Sequence, residues 1–401
     1  MLGIIDFIRK VFHIFKTHGI RGVKAAVDSS YGNADIIHGY SWISDDAVIE
    51  YNEKQKLENG EKITLNWILP DFDLGSGGPV TILRFVSNLE DLGFHNRVYL
   101  FGGKRFDDDK SFHSFLYTSY SKILTNPNVE AFSDVSAIKY ATATIATGWQ
   151  TAYFVNRFNN TERKFYFVQD YEPYFYPMGS EYLWAEETYK FGFIGITAGD
   201  WLKKKLSDEY GMKTESFHFA VDKKVYKYRE KEDNTRRIFF YARPTTARRA
   251  FEMGILALNE ICKRDNSVEV VFAGWDVGSY IIPFKYKNEG IVSEERLSYL
   301  YSQCDICMLM SATNLSLLPL EIMASNSVVA TTQGENNQWL LNNENAILFG
   351  NNPVEIAKTI ISSLNNPSVL DEKRRIGAEI VKDLSWKKEA EKVYTYICKN
   401  I

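Results

Sequence analysis

The stretch DICMLMSATNLSLLPLEIMASNSVVATT, residues 305–332, decides how this chain folds. DICMLMSA is an apolar run of strand length, TNLSLL is its exit loop, and SVVATT is a second, β-branched run. Between them Pro319 suits the first turn of a helix, where its missing amide hydrogen is not needed. Strand, helix and strand in this order make a parallel α/β unit. Glu321 is the only charge between Ile306 and Thr332. In the first helical turn it meets the positive end of the helix dipole, which places its side chain near a cleft rather than in the core. A carboxylate there can accept both hydroxyl hydrogens of a ribose-like diol. Backbone amides from Asn314 through Leu317 to Leu318 can hold phosphate oxygens.

The same alternation continues in both directions. RRIFFYAR (236–243), VEVVFAGW (268–275) and AILFG (346–350) complete one α/β unit. KITLNWIL (62–69), NRVYLFG (96–102), TATIATG (142–148), KFYFVQD (164–170) and GFIGITAG (192–199) predict another. The expected fold class is therefore α/β: two Rossmann-like domains facing each other across a cleft, each a mostly parallel sheet with helices on both faces. The 401 residues agree, since a single core rarely exceeds about 250–300. FHFAVDKKVYKYREKEDNTR (217–236) turns from apolar to highly charged, which predicts a linker followed by an exposed hairpin or turn. The expected divisions are a helical extension over 1–60, a first α/β domain over 61–221, a second over 222–384 and a C-terminal helix over 385–401.

Composition narrows the function. A net charge of −4 gives no general attraction to nucleic acid, so none is expected as a partner. Four scattered cysteines build no disulfide framework and point to a reducing, cytoplasmic compartment. Cys304 and Cys307 lack the partners of a zinc site and are expected to pack in the core. FDDD (106–109) tempts a metal reading, but its dense charge fits an exposed loop or helix cap better. The opening segment, residues 1–24, spaces Ile4, Ile5, Ile8, Val11, Phe12 and Phe15 as one apolar helical face beside Arg9, Lys10 and Lys16. It reads either as a helix docked on the fold or as an interfacial helix on anionic lipid.

Three further segments sit at expected strand ends. LGSGGP (74–79) opens the helix GSGGPVTILRFVSNLEDLG (75–93), so its glycines allow close backbone approach to a ligand, although a tight turn would use the same residues. Arg243 ends a strand, and Arg248 and Arg249 are expected at the start of the next helix, where cations oppose the dipole unless an anion such as a diphosphate is bound. Asp170, in VQDYEP (168–173), should project into the cleft, where it and Glu172 can bind an acceptor and assist removal of its hydroxyl proton.

Together these motifs resemble the glycosyltransferases of the two-domain GT-B fold, particularly the large retaining family 4. The likeness covers most of residues 60–398 and includes SEERLSYLYSQCDICMLM (293–310), PLEIMASNSVVATT (319–332) and LSWKKEAEKVY (384–394). It implies that Gly77 and Gly78 lie near the donor phosphates and sugar, that Arg243 and Arg248 neutralise the donor diphosphate, and that Glu321 holds the pentose. It also implies an acceptor site at Asp170, Tyr171 and Glu172, no cofactor, and no metal requirement. Thr313 stands where the family usually has a first glutamate contacting the donor sugar. That departure, with YFVQDYEPYFYPMGSEYLWAEETYKFGFIGITAG (166–199), resembles bacterial enzymes that transfer rhamnose from dTDP-L-rhamnose during surface-glycan assembly. The resemblance thus implies dTDP-L-rhamnose as donor and a glycan or lipid-linked oligosaccharide as acceptor, at the inner face of the cell membrane. A UDP- or GDP-hexose donor and a non-catalytic glycan-binding subunit are the alternatives.

Overall fold

The computed structural model describes residues 36–50, 62–72, 77–102, 105–315 and 317–401. The helix expected within residues 1–24 and the start of the glycine-rich loop, 74–76, lie outside them. By internal contacts the chain divides into Met1–Val48 and Ile49–Ile401. The described part of the first unit carries one helix, Ile36–Ser44. Among the described residues no helix is long and apolar enough to cross a membrane.

Both sheets lie in the second unit. β1 (Thr64–Pro70), β2 (His95–Phe101), β3 (Glu130–Phe132), β4 (Ala141–Ala146), β5 (Thr161–Val168), β6 (Ile194–Ala198) and β7 (Thr214–Phe217) form a seven-stranded sheet in the order β3-β2-β1-β4-β5-β6-β7. β8 (Arg237–Tyr241), β9 (Glu269–Ala273), β10 (Tyr286–Asn288), β11 (Ile306–Leu309), β12 (Val328–Thr332) and β13 (Ala346–Phe349) form a six-stranded sheet in the order β10-β9-β8-β11-β12-β13. Every pairing is parallel. All ten strands expected from sequence are present. β3, β7 and β10 were not foreseen; each has three or four residues at a sheet edge, too short to show a period of its own.

Alternation along the strands explains the core. In the second sheet Ile238 and Phe240, Val270 and Phe272, and Ile306 and Met308 enter one apolar cluster. The residues between them, Phe239, Val271 and Cys307, enter the other. A parallel sheet covered on both faces buries both sets, so its strands read as continuous apolar runs. The second cluster is continuous with the core of the first domain, joining residues such as Phe85 and Phe167 to Leu320 and Ile322. In the helix Gly77–Asp91 the expected face is buried, at Ile82, Leu83, Phe85, Val86 and Leu89. Each such side chain contributes about 1.5–3 kcal/mol. Cys304 and Cys307 are buried free thiols, and burial pushes Cys307 up to about 12. Asp108 caps the helix Asp109–Ser119 by accepting from the Ser111 amide at 2.7 Å, so FDDD is a helix cap.

Of the hairpin or turn expected in the linker, the turn forms. No strand lies between Phe217 and Arg237, and the Asp222 carbonyl accepts from the amides of Val225 and Tyr226. That turn tucks Tyr226 inward to 5% exposure, because its ring has an apolar face to bury and a hydroxyl that meets the cleft. The C-terminal helix Trp386–Cys398 packs on the helix Gly77–Asp91 and on β7, with Tyr394 stacked on Phe94 at 4.5 Å. Gly199, at φ 86°, lies under the Trp339 indole: a β-carbon there would fall 2.7 Å from the ring.

Candidate active site

In both sheets the strand order reverses between two neighbours, β1 and β4 in the first, β8 and β11 in the second. Ligands of open α/β sheets bind outside the carboxyl ends of strands at such switch points. A cleft of about 740 Å³ opens there, and its lining includes Pro70 at the end of β1, Thr147 after β4, Asp170 after β5, Arg243 after β8 and Asn314 after β11.

The first-domain wall carries Gly77, Gly78, Asp170 and Glu172 into the cleft. Gly77 and Gly78 are the first residues of their helix, and the Gly78 carbonyl accepts from Gln169 Nε2 at 3.1 Å. Asp170 Oδ1 accepts from the amides of Tyr171 at 2.8 Å and, across the cleft, Asn314 at 3.1 Å. Burial raises the Asp170 carboxyl, opposed by the Thr313 side chain, by the Asn314 amide and by the Arg249 and Arg248 charges. Glu172 Oε2 accepts from the Trp149 amide at 2.8 Å, and burial, assisted by Asp170, pushes its carboxyl up to about 8. Tyr171 is a correction. The backbone is extended there, so neighbouring side chains point opposite ways. Asp170 faces the cleft while Tyr171, 1% exposed, turns inward to bond Tyr210 and Glu186.

The second-domain wall carries Arg243, Arg248, Leu317, Leu318 and Glu321. Arg243 Nη1 donates to the Gly274 carbonyl at 3.3 Å. Arg248 and Arg249 do not open the α-helix as expected. They form a 3-10 turn, Ala247–Arg249, ended by Ala250 in the left-handed region at φ 39°, and the α-helix begins at Phe251. The turn spares both cations the helix dipole and aims Arg248 at the cleft. Burial lowers both guanidiniums, Arg249 to about 10. Arg249 braces the loop after β11, donating to Ser311 Oγ at 2.5 Å and the Asn314 carbonyl at 3.4 Å.

Two donor-site expectations change in that loop. Thr313 is fully buried beneath it, its carbonyl accepting from Ser311 Oγ and Asn336 Nδ2 at 2.7 Å, and does not line the cleft. Asn314 lines it, but its amide already serves Asp170, and its Nδ2 donates to the Gln169 and Ala198 carbonyls at 3.2 and 3.1 Å. It therefore staples the two domains instead of offering a vacant amide to phosphate.

Glu321 lies in the helix Leu318–Ala324 and lines the cleft. Burial and the nearby Glu294 push it up to about 8, while a hydrogen bond with Tyr226 and the charge of Arg84 pull it down. Arg84, from the first domain, feels Asp222, Glu294 and Glu321 in return and lies 4.9 Å from the Trp386 ring. Sequence reasoning missed Arg84, Tyr226, Trp149 and Phe175. For Arg84 a signal existed: it is a lone cation in VTILRFV (80–86), as Glu321 is a lone anion in its own apolar run.

The two parallel sheets facing across this cleft are the GT-B fold found among glycosyltransferases. Residues 76–197 match the N-terminal domain of WsaF and residues 236–361 the C-terminal domain of WsaF, together well over half of the chain. The chain belongs to the WsaF family. It is 34% identical over 267 residues to the O-antigen biosynthesis protein RfbC of Myxococcus xanthus, a match covering 65% of this chain and 21% of that protein. Among solved structures, the sucrose-phosphate synthase of Thermosynechococcus elongatus shares the fold at TM-score 0.63 and 13% identity, covering 84% of this chain and 99% of that one. A glycosyltransferase of Rickettsia africae gives 0.59 and 15%, covering 85% and 100%. Anabaena HepE, solved with UDP and glucose, gives 0.63 and 11%, covering 84% and 99%.

Proposed function

We propose that the chain is a retaining glycosyltransferase of bacterial surface-glycan assembly, transferring L-rhamnose from dTDP-L-rhamnose to a glycan or lipid-linked acceptor. The observation that carries the transferase reading is one cleft with opposed chemistry: Asp170 and Glu172 on one wall, Arg243, Arg248 and Glu321 on the other. The O-antigen role in the name of the Myxococcus relative supports the glycan setting. The rhamnosyl donor rests on Thr313, which supplies no carboxylate for the hydroxyls of a D-hexose, and on the resemblance of VQDYEPYFYP (168–177).

In this reading Glu321 holds the ribose hydroxyls, Gly77, Gly78, Leu317 and Leu318 border the donor, and Arg243 and Arg248 offset the charge that builds on the departing diphosphate. That electrostatic task is one a divalent ion performs elsewhere, so the reaction needs no metal or other cofactor. Asp170 orients the acceptor hydroxyl, whose oxygen bonds to the anomeric carbon as the bond to diphosphate breaks on the same face and whose proton passes to the departing diphosphate. From a β-L-rhamnosyl donor the product is a β-linked L-rhamnoside. The enzyme works in the cytoplasm, with residues 1–24 giving reversible contact at the inner membrane face.

The test offers dTDP-L-rhamnose beside UDP-glucose, UDP-galactose and GDP-mannose and reads the anomeric configuration of any product by NMR. Transfer from dTDP-L-rhamnose with a β-linkage is expected. Transfer only from a UDP- or GDP-hexose would overturn the donor, and the UDP and glucose of the HepE structure favour that second reading. Donor binding without turnover would make the chain a glycan-binding subunit.

A further inference from the structure

Phe175 and Arg248 come from opposite halves of the cleft and meet within it. The Arg248 guanidinium carbon lies 4.1 Å from the centroid of the Phe175 ring, a cation–π distance. Arg248 Nε is buried and has no hydrogen-bond partner among the described residues. The backbone behind it is fixed by the 3-10 turn Ala247–Arg249 and by the Ala312 amide, which donates to the Arg248 carbonyl at 2.9 Å. Phe175 closes its own 3-10 turn, Glu172–Phe175, whose first residue carries the buried Glu172 carboxyl into the cleft. The ring remains 37% exposed, so it is not a core anchor of that turn.

The chemistry of this contact differs from that of an ion pair. A carboxylate beside Arg248 would neutralise it and would have to be displaced by an incoming anion. A ring face attracts the guanidinium and narrows its rotamers without itself neutralising it, although the Asp170 charge also acts on Arg248. Such preorganisation counts most where charge develops during reaction.

We propose that Phe175 is a positioning residue that aims Arg248 at the donor diphosphate and, through the turn it shares with Glu172, ties the seating of the acceptor to the donor side. The inference rests on the glycosyltransferase reading for the identity of the anion, but not for the contact itself. Because the link is thermodynamic, an acceptor that shifts the turn changes donor affinity, and the donor changes acceptor affinity by the same factor.

The first measurement needs no activity. In the full chain carrying isotopically labelled arginine, the Arg248 Nε–H resonance, assigned by its loss in Arg248→Lys, is expected to be displaced by the ring current in the wild type and in Phe175→Trp. It should return to the ordinary arginine position in Phe175→Leu; an undisplaced wild-type resonance overturns the proposal. The second is a double-mutant cycle on turnover of dTDP-L-rhamnose, with dTDP affinity by calorimetry. Phe175→Leu is expected to lower kcat by about tenfold and dTDP affinity by less, with Phe175→Trp restoring most of the loss. In an Arg248→Ala background Phe175→Leu should then have little further effect. An undiminished effect in that background would make Phe175 an independent contact and overturn the coupling. If the resonance is displaced but no nucleotide binds, the transferase reading falls. The positioning role then stands only if pyrophosphate affinity drops in Phe175→Leu and not in Phe175→Trp.

Discussion

The two walls of the cleft are built differently. The first-domain wall takes its acids from one short segment, Asp170 to Glu172, directly after β5. The second-domain wall gathers Arg243 and Arg248 after β8, Glu294 from the helix Glu294–Ser302, and Glu321 from the helix after β11. Their charges also differ: the first wall presents acids alone, the second sets cations beside acids. Burial pushes Glu172 up to about 8 and Arg249 down to about 10, each toward its neutral form. Part of the relief comes from across the cleft: the Asn314 amide, Arg249 and Arg248 act on Asp170, and Arg84 adds to the Tyr226 hydrogen bond on Glu321, whereas Glu172 is relieved by the Trp149 amide of its own domain. Charge balance therefore depends in part on the facing wall. A ligand that carries both a diphosphate and hydroxyls matches the pair.

Four substitutions probe that division of labour, from the largest expected effect to the smallest. Arg248→Ala on the basic wall should lower kcat by about 10²–10³-fold, with a smaller rise in the donor KM, because its charge is needed most as the diphosphate departs. Steady-state kinetics showing a change in KM alone would place Arg248 in ground-state binding. Asp170→Asn on the acidic wall should lower transfer by about 10²-fold while calorimetric donor affinity changes little. Equal losses in both would mean that the two walls share one task. Glu321→Ala should weaken dTDP binding by ~1.5–3 kcal/mol with the fold intact; calorimetry finding unchanged affinity would remove Glu321 from the nucleotide site.

The smallest effect is on stability. The folded chain keeps a proton on Glu172 between its ordinary 4.5 and about 8, where the unfolded chain has lost it. Stability should therefore fall as pH rises through that window, and Glu172→Gln should flatten the fall in the thermal midpoint by a few degrees. An identical pH profile in the variant would show that Glu172 is no more desolvated than a surface acid.

How much was legible in the sequence follows from where each signal resides. Interior strands such as Ile306–Leu309 are covered on both faces and read as apolar runs, whereas the edge strand Tyr286–Asn288 has three residues and a half-exposed pattern. Glu321 announced itself as a lone charge in an apolar helix, since such a charge needs a reason. Arg84 carried the same mark in VTILRFV, but its partners Asp222, Glu294 and Glu321 are far along the chain, and no local spacing relates them. Tyr226 was hidden by the charged residues around it, and Tyr171 was misplaced because adjacency to Asp170 in sequence means opposition in space on an extended backbone. Local chemistry was readable; pairings across the cleft were not.

The Asn314 staple bears on building hybrids from this protein and its relatives. Its side chain bonds two main-chain carbonyls of the first domain, Gln169 and Ala198, and any graft with the same backbone path would present those whatever its sequence. The Arg248 contact depends on the Phe175 ring and the Glu321 setting on Arg84, so both ask for particular side chains. A chimaera with a foreign first half would thus keep the two staple bonds and still be miswired unless Arg84, Phe175, the Asp170 that accepts the Asn314 amide and the Gly199 that makes room for Trp339 were transplanted with the second half.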